Sequence, residues 1–176
     1  MDESILSHIA SKFITEYENV ANSSIAYLLN KYSAARESLR IILNVETVPN
    51  YYVTESSTKG HGRPDITSSY DDGSKIIIEG KFWANLTENQ PNNYIKELGS
   101  KGRLLFLAPE KRENSLKSEI EIRLRKIDER IMVYSWKKFI ELIESENKKE
   151  YNDSLASDLL QLKELCQKMD IEGLPP

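Results

Sequence analysis

The sequence predicts a mixed α/β domain, with one sheet built around an antiparallel hairpin and flanked by helices. Three observations carry that prediction. Apolar residues repeat at helical spacing through the first third, short β-branched runs fill the middle, and Asp71-Asp72-Gly73 stands between two of those runs as a turn. A chain of 176 residues, 39% hydrophobic and 30% charged, is long enough for one such domain with its own core.

Ile5, Ile9 and Phe13 share a helical face, and Val20, Ile25, Leu28, Leu29 and Tyr32 continue the pattern. Leu39, Ile42 and Leu43 form a third group, after which Asn44 and Pro49 close a helical part covering residues 1–50. The β-rich core, residues 51–145, opens with a strand at 51–54 and a loop at 56–62. Strands at 66–70 and 75–81 follow, joined by the Asp-Asp-Gly turn. Thr87 starts a helix, because Thr87-Glu88-Asn89-Gln90 has the capping-box pattern, and Gly99 ends it. Residues 103–108 read as a buried strand stopped by Pro109, 116–130 as a charged helix, 131–135 as a strand and 136–145 as a helix. After a polar linker, a last helix covers residues 153–170. There Leu155, Leu159, Leu162, Cys166 and Met169 fall at heptad spacing, which suits packing on the domain or the seam of a homodimer. The terminal Glu172-Gly173-Leu174-Pro175-Pro176 reads as the start of a linker, as in the N-terminal domain of a longer protein.

Composition narrows the function classes. Lys and Arg number 24 against 28 Asp and Glu, a formal net charge of −4, which argues against a generic nucleic-acid coat. It argues less against a metal-dependent enzyme, whose cation bridges acidic protein and phosphate. A lone Cys166 makes no internal disulfide, and with two histidines it leaves no Cys/His zinc site. The apolar runs are too short to span a bilayer, and Met-Asp-Glu-Ser is no signal-peptide start, so the expected setting is cytoplasmic, with no membrane partner. Nucleophile-elbow, Walker-loop, HExxH and dinucleotide glycine patterns are missing from the sequence.

The chemistry concentrates in the hairpin. A two-residue loop at Asp72-Gly73 would set Asp65 opposite Gly80, and a three-residue loop ending on a left-handed Gly73 would set Asp65 opposite Glu79. Either turn is sterically acceptable. In the second register the two carboxylates lie about 5 Å apart at Cβ, an unfavourable pairing that needs a cation. A hard divalent ion supplies one, since Mg²⁺ prefers one or two carboxylates plus waters. Lys81, two residues beyond Glu79, shares its face. From there an ammonium orients or helps deprotonate a water, or stabilises transition-state charge, as phosphodiester hydrolysis requires. The bland alternative is a solvated ion-pair ladder. Against it, Ile76-Ile77-Ile78 implies a strand buried on both faces, and Pro64 sets Asp65 at the entrance to its strand.

Pro64-Asp65, a gap, then Glu79-Gly80-Lys81 resembles the signature of the PD-(D/E)XK nuclease superfamily, with its restriction endonuclease-like core of α-β-β-β-α-β. Residues 82–91, Phe-Trp-Ala-Asn-Leu-Thr-Glu-Asn-Gln-Pro, resemble the segment leading to the helix after the motif, and Val133-Tyr134-Ser135-Trp136 resembles a later strand of that family. The resemblance implies an Mg²⁺- or Mn²⁺-dependent endonuclease acting on DNA. Asp65 and Glu79 would hold the metal with the Gly80 carbonyl, and Lys81 would prepare the water. It also implies an acidic residue from the first core helix, Glu18 or Glu16. Glu18 is preferred because it shares a face with Ala21, Asn22, Ile25 and Leu29.

Several residues carry two readings. Gln90 closes the capping box on Thr87 or faces the active site, as the resemblance implies. Lys59, His61 and Arg63 contact phosphate or are solvated loop residues, the arginine being the best geometric match. Trp83 stacks on a base or packs under the next helix, and Trp136 has the same two readings, the core being preferred. Lys111, Arg112, Lys117, Arg123, Arg125, Lys126 and Arg130 line a duplex or, being interleaved with acids, form an ordinary salt-bridged surface, which is the preferred reading. The rival readings for the whole chain are a non-catalytic nucleic-acid-binding or assembly domain of the same fold, or an RNA-cleaving nuclease.

Overall fold

A computed structural model describes residues 6, 17–54, 63–82 and 84–172. Helix α1 (Tyr17–Lys31) forms because Ala21, Ile25, Leu28 and Leu29 make one apolar stripe, all at most 1% exposed. Tyr32 turns extended, at φ −120° and ψ 128°, and α2 (Ser33–Leu43) restarts at once. Left-handed Asn44, at φ 49°, ends α2 with its N–H on the Arg40 and Ile41 carbonyls.

Three antiparallel strands follow: a short β1 (Val53–Thr54), β2 (Ile66–Ser69) and β3 (Lys75–Gly80). A small helix α3 (Asn92–Glu97) leads into β4 (Arg103–Ala108), which runs parallel to β3. A 3-10 turn (Glu110–Arg112) and α4 (Glu113–Leu124) lead to β5 (Ile131–Ser135), parallel to β4. Ser135 then caps α5 (Trp136–Asn147), its hydroxyl accepting from the Lys138 N–H at 3.0 Å. The side chain of Asn152 accepts from the Leu155 N–H at 3.0 Å as α6 (Asp153–Glu172) begins.

The sheet order is β1-β2-β3-β4-β5, with antiparallel pairing on one side of β3 and parallel pairing on the other. Its two faces bury separate clusters. Ile66, Ile76, Ile78, Leu105 and Leu107 pack against α1, α2, α5 and α6, while Ile77, Leu104, Phe106 and Ala108 pack against α3 and α4. That double burial accounts for the unbroken apolar runs in β3 and β4. Among the described residues the element order is the one the sequence predicts; the helical repeat at Ile5, Ile9 and Phe13 and the loop expected at 56–62 lie outside them.

Boundaries moved where backbone geometry overrode pattern. The helix expected from Thr87 begins at Asn92, because a turn through residues 88–91 comes first. The helix expected to reach Arg130 stops at left-handed Arg125, φ 54°, and Arg130 folds back to pair with Asp128 at 2.8 Å. The heptad seam of α6 is spent within the chain: Leu155, Leu159 and Leu162 are each 1% exposed against the core shared with α1 and α5. A homodimer through that seam therefore has no apolar surface left to use.

Candidate active site

The turn takes the three-residue form. Tyr70 donates its N–H to the Ser74 carbonyl at 2.8 Å, Gly73 bonds back to Tyr70, and Gly73 is left-handed at φ 83°. Of the two registers open to the sequence, this one pairs Ile66 with Ile78 and so brings Asp65 level with Glu79. Beyond Ile66 the strands are held by side chains rather than by a ladder. Gly80 donates its N–H to Asp65 Oδ2 at 2.9 Å, and Asp65 donates its own to Glu79 Oε2 at 3.3 Å. Pro64 stands across from Gly80 and has no N–H to offer the Gly80 carbonyl.

Glu79 is 3% exposed and fully engaged. Its Oε1 accepts from Gln90 Nε2 at 2.6 Å and lies 2.9 Å from Lys81 Nζ, while its Oε2 accepts from the Tyr94 hydroxyl at 3.3 Å. Gln90 serves both roles weighed for it. Its amide oxygen accepts the Thr87 N–H at 3.2 Å, as in a capping box, and its amide nitrogen reaches Glu79 and Tyr94. The cap orients the amide, and the amide orients the carboxylate.

Burial and the facing Glu79 charge push Asp65 up to about 7, against the opposing pull of the Gly80 N–H and Lys81. Burial also raises the Tyr94 phenol, and the Glu79 charge beside it adds to that. Glu18 arrives from α1, across the sheet, and accepts the Phe82 N–H at 2.7 Å. It thus anchors the backbone just after Lys81. Gly80 has no room for a side chain, since a Cβ there would run into Asn22 Oδ1 and fall 2.7 Å from the Trp136 ring. Trp136 is core, stacked on Phe82 with centroids 5.0 Å apart.

The structure thus gathers Asp65, Glu79, Gly80, Lys81, Gln90 and Glu18 at one end of β3. Arg63 is exposed at the entrance to β2, and Lys59, His61, Trp83 and Glu16 lie outside the described residues. Sequence reasoning missed three contributors. Tyr94 had a signal, lying four residues after Gln90 and so on one face of the helix expected from Thr87. Arg112 and Arg123, read as solvent-facing, instead grip the segment between β3 and α3. Arg112 Nη1 donates to the Phe82 and Ala84 carbonyls at 3.0 and 2.7 Å. Arg123 donates to the carbonyls of Leu86, Thr87 and Gln90. Carbonyl partners leave no trace in the sequence.

Among the described residues, no group of three or more His, Cys, Asp or Glu side chains is arranged to hold a metal ion. The donors present are two facing carboxylates and a peptide carbonyl that Pro64 cannot engage. That all-oxygen set suits a hard divalent ion completed by water and phosphate oxygens. No described helix is long and apolar enough to cross a membrane. No protein-family model, curated protein or solved structure matches the chain significantly.

Proposed function

We propose that the chain is a metal-dependent nuclease of the PD-(D/E)XK kind, with a restriction endonuclease-like core, hydrolysing phosphodiester bonds in DNA. The observation that carries this reading is the meeting of Asp65 and Glu79 across the hairpin end, with Lys81 Nζ 2.9 Å from Glu79. Two acids in that position repel one another, and that repulsion, added to the larger effect of burial, lets Asp65 keep its proton to about 7. A divalent cation resolves the conflict.

On this reading Asp65, Glu79 and the Gly80 carbonyl hold Mg²⁺ or Mn²⁺. The bound ion supplies Lewis acidity and positive charge against the phosphodiester. Lys81 presents its N–H groups to the attacking water and to a phosphate oxygen. Water oxygen bonds to phosphorus as the bond to the departing sugar oxygen breaks, leaving a phosphomonoester and a hydroxyl. Gln90 and Tyr94 hold Glu79 in one rotamer, and Glu18 fixes the chain after Lys81. Arg63, with Lys59 and His61, contacts flanking phosphates.

Linear, nicked, branched and single-stranded DNA, and RNA, incubated with Mn²⁺ or with chelator, test the proposal. Cation-dependent cleavage of DNA is expected, falling at least roughly 100-fold in Asp65→Asn, Glu79→Gln and Lys81→Met. Cleavage of RNA alone would reassign the substrate. A folded protein that cuts nothing and binds no Mn²⁺ by calorimetry would instead be a non-catalytic nucleic-acid-binding or assembly domain.

A further inference from the structure

β5 is the last strand of the sheet, and among the described residues no strand pairs with its outer edge. Its sequence, Ile-Met-Val-Tyr-Ser, lacks the charge or proline that protects such an edge. Residues 131–134 are only partly buried, packed against the two clusters, whereas 104–108 in the neighbouring strand are fully buried. Met132 and Tyr134 from one face and Val133 from the other line a single groove of about 410 Å³, with Ile42 of α2 and Leu124 of α4. Residues from opposite faces share a groove only where the edge between them is open. Ile127, in the turn before β5, also lines it and is 75% exposed.

The backbone sets which polar groups face outward. The Leu104 N–H donates to the Arg130 carbonyl at 2.9 Å, so residues 130, 132 and 134 direct their peptide groups to β4. Residues 131, 133 and 135 direct theirs outward. The Ile131 N–H is already taken by the Asp128 carbonyl at 3.0 Å, and the Ser135 carbonyl belongs to the α5 cap. Among the described residues, that leaves the Ile131 carbonyl, both groups of Val133 and the Ser135 N–H. An antiparallel copy of β5, related by a two-fold axis through Val133, satisfies every one. Val133 pairs with its own copy, and each Ile131 carbonyl accepts the Ser135 N–H of the other chain. The same axis brings exposed Glu129, in the turn before β5, toward the second copy's exposed Lys137, in the first turn of α5, where the lysine lies 3.5 Å from Glu110 of its own chain and would add a second acidic partner.

We propose that this edge pairs with a second copy of the chain, giving a continuous ten-stranded sheet. Glu79, Phe106 and Val133 stand in one row across the strands. The axis therefore sets both candidate sites level on the same face, roughly 24 Å apart at about 4.8 Å per strand. The pairing itself does not depend on the nuclease reading.

Light scattering on the 176-residue chain is expected to give twice 20.3 kDa. Val133→Pro removes an outward N–H and no bond to β4, so it is expected to return a folded chain of 20.3 kDa. Lys137→Glu is expected to weaken association on the order of tenfold, two symmetric pairs becoming repulsive, and adding Glu129→Lys restores it. A wild-type chain that stays monomeric at every concentration overturns the proposal, as does a folded Val133→Pro that still dimerises. Should Val133→Pro not fold, unchanged association in the charge-reversed variants overturns it equally. No nucleic acid enters the measurement, so a failure here and a failure of nuclease activity are read separately.

Discussion

Asp65 keeps a proton in the folded chain up to about 7, while its ordinary value is 3.8. Between those values the native state binds a proton that the unfolded chain has lost. The stability this group contributes is therefore full below 3.8 and is lost as pH rises toward 7, at up to about 1.4 kcal/mol per pH unit. Metal-free protein should melt at lower temperature as pH rises through that window, and Asp65→Asn should flatten the dependence. Mn²⁺ should stabilise more at the upper end, where it no longer competes with the proton. Thermal melts of both proteins across pH, with and without Mn²⁺, check this; equal slopes in the two proteins would remove Asp65 as the source. The three motif residues were legible in advance because strand side chains alternate with period two, which puts residues 79 and 81 on one face. Which residue opposed Asp65 was not legible, since both turns were sterically acceptable and only the formed loop chose between them.

At the scale of an element, residues 84–91 have little regular structure, yet they carry Gln90 to Glu79. Two arginines hold this segment in place. Arg123 bridges three of its carbonyls from α4, and Arg112 bridges those of Phe82 and Ala84. A planar guanidinium spans several acceptors where a point-charge ammonium does not. Arg123→Ala should cost about 2 kcal/mol of stability, and Arg123→Lys should recover little of it. Urea melts measure the loss, and hydrogen exchange at residues 86–91 should rise in both variants. Unchanged exchange would mean that the segment is held by other contacts. In sequence these arginines resemble their neighbours Lys117 and Arg125, for charge spacing along a helix does not reveal a carbonyl on the adjoining chain.

The whole molecule depends on its C-terminal helix. Leu155, Leu159, Leu162 and Leu165 are each at most 1% exposed, and the Tyr32 hydroxyl donates to Asp158 at 2.6 Å across the α1–α6 contact. Burying one leucine is worth about 1.5–3 kcal/mol, so the four together rival the stability of a typical domain. A chain ending at Asn152 should lose cooperative unfolding in urea and bind a hydrophobic dye. A sharp, native-like transition in that shortened chain would show that α6 is an accessory. Apolar periodicity, turn chemistry and strand alternation are local properties, and they were enough to determine the order of elements and the residues able to carry acid and amine chemistry. The tertiary structure alone decided that Asp65 meets Glu79, that Gln90 and Tyr94 lock that carboxylate, that two arginines turn inward, and that the heptad of α6 faces its own chain. Each of those choices joins groups far apart in sequence through backbone atoms or close packing, and residue type alone does not encode either.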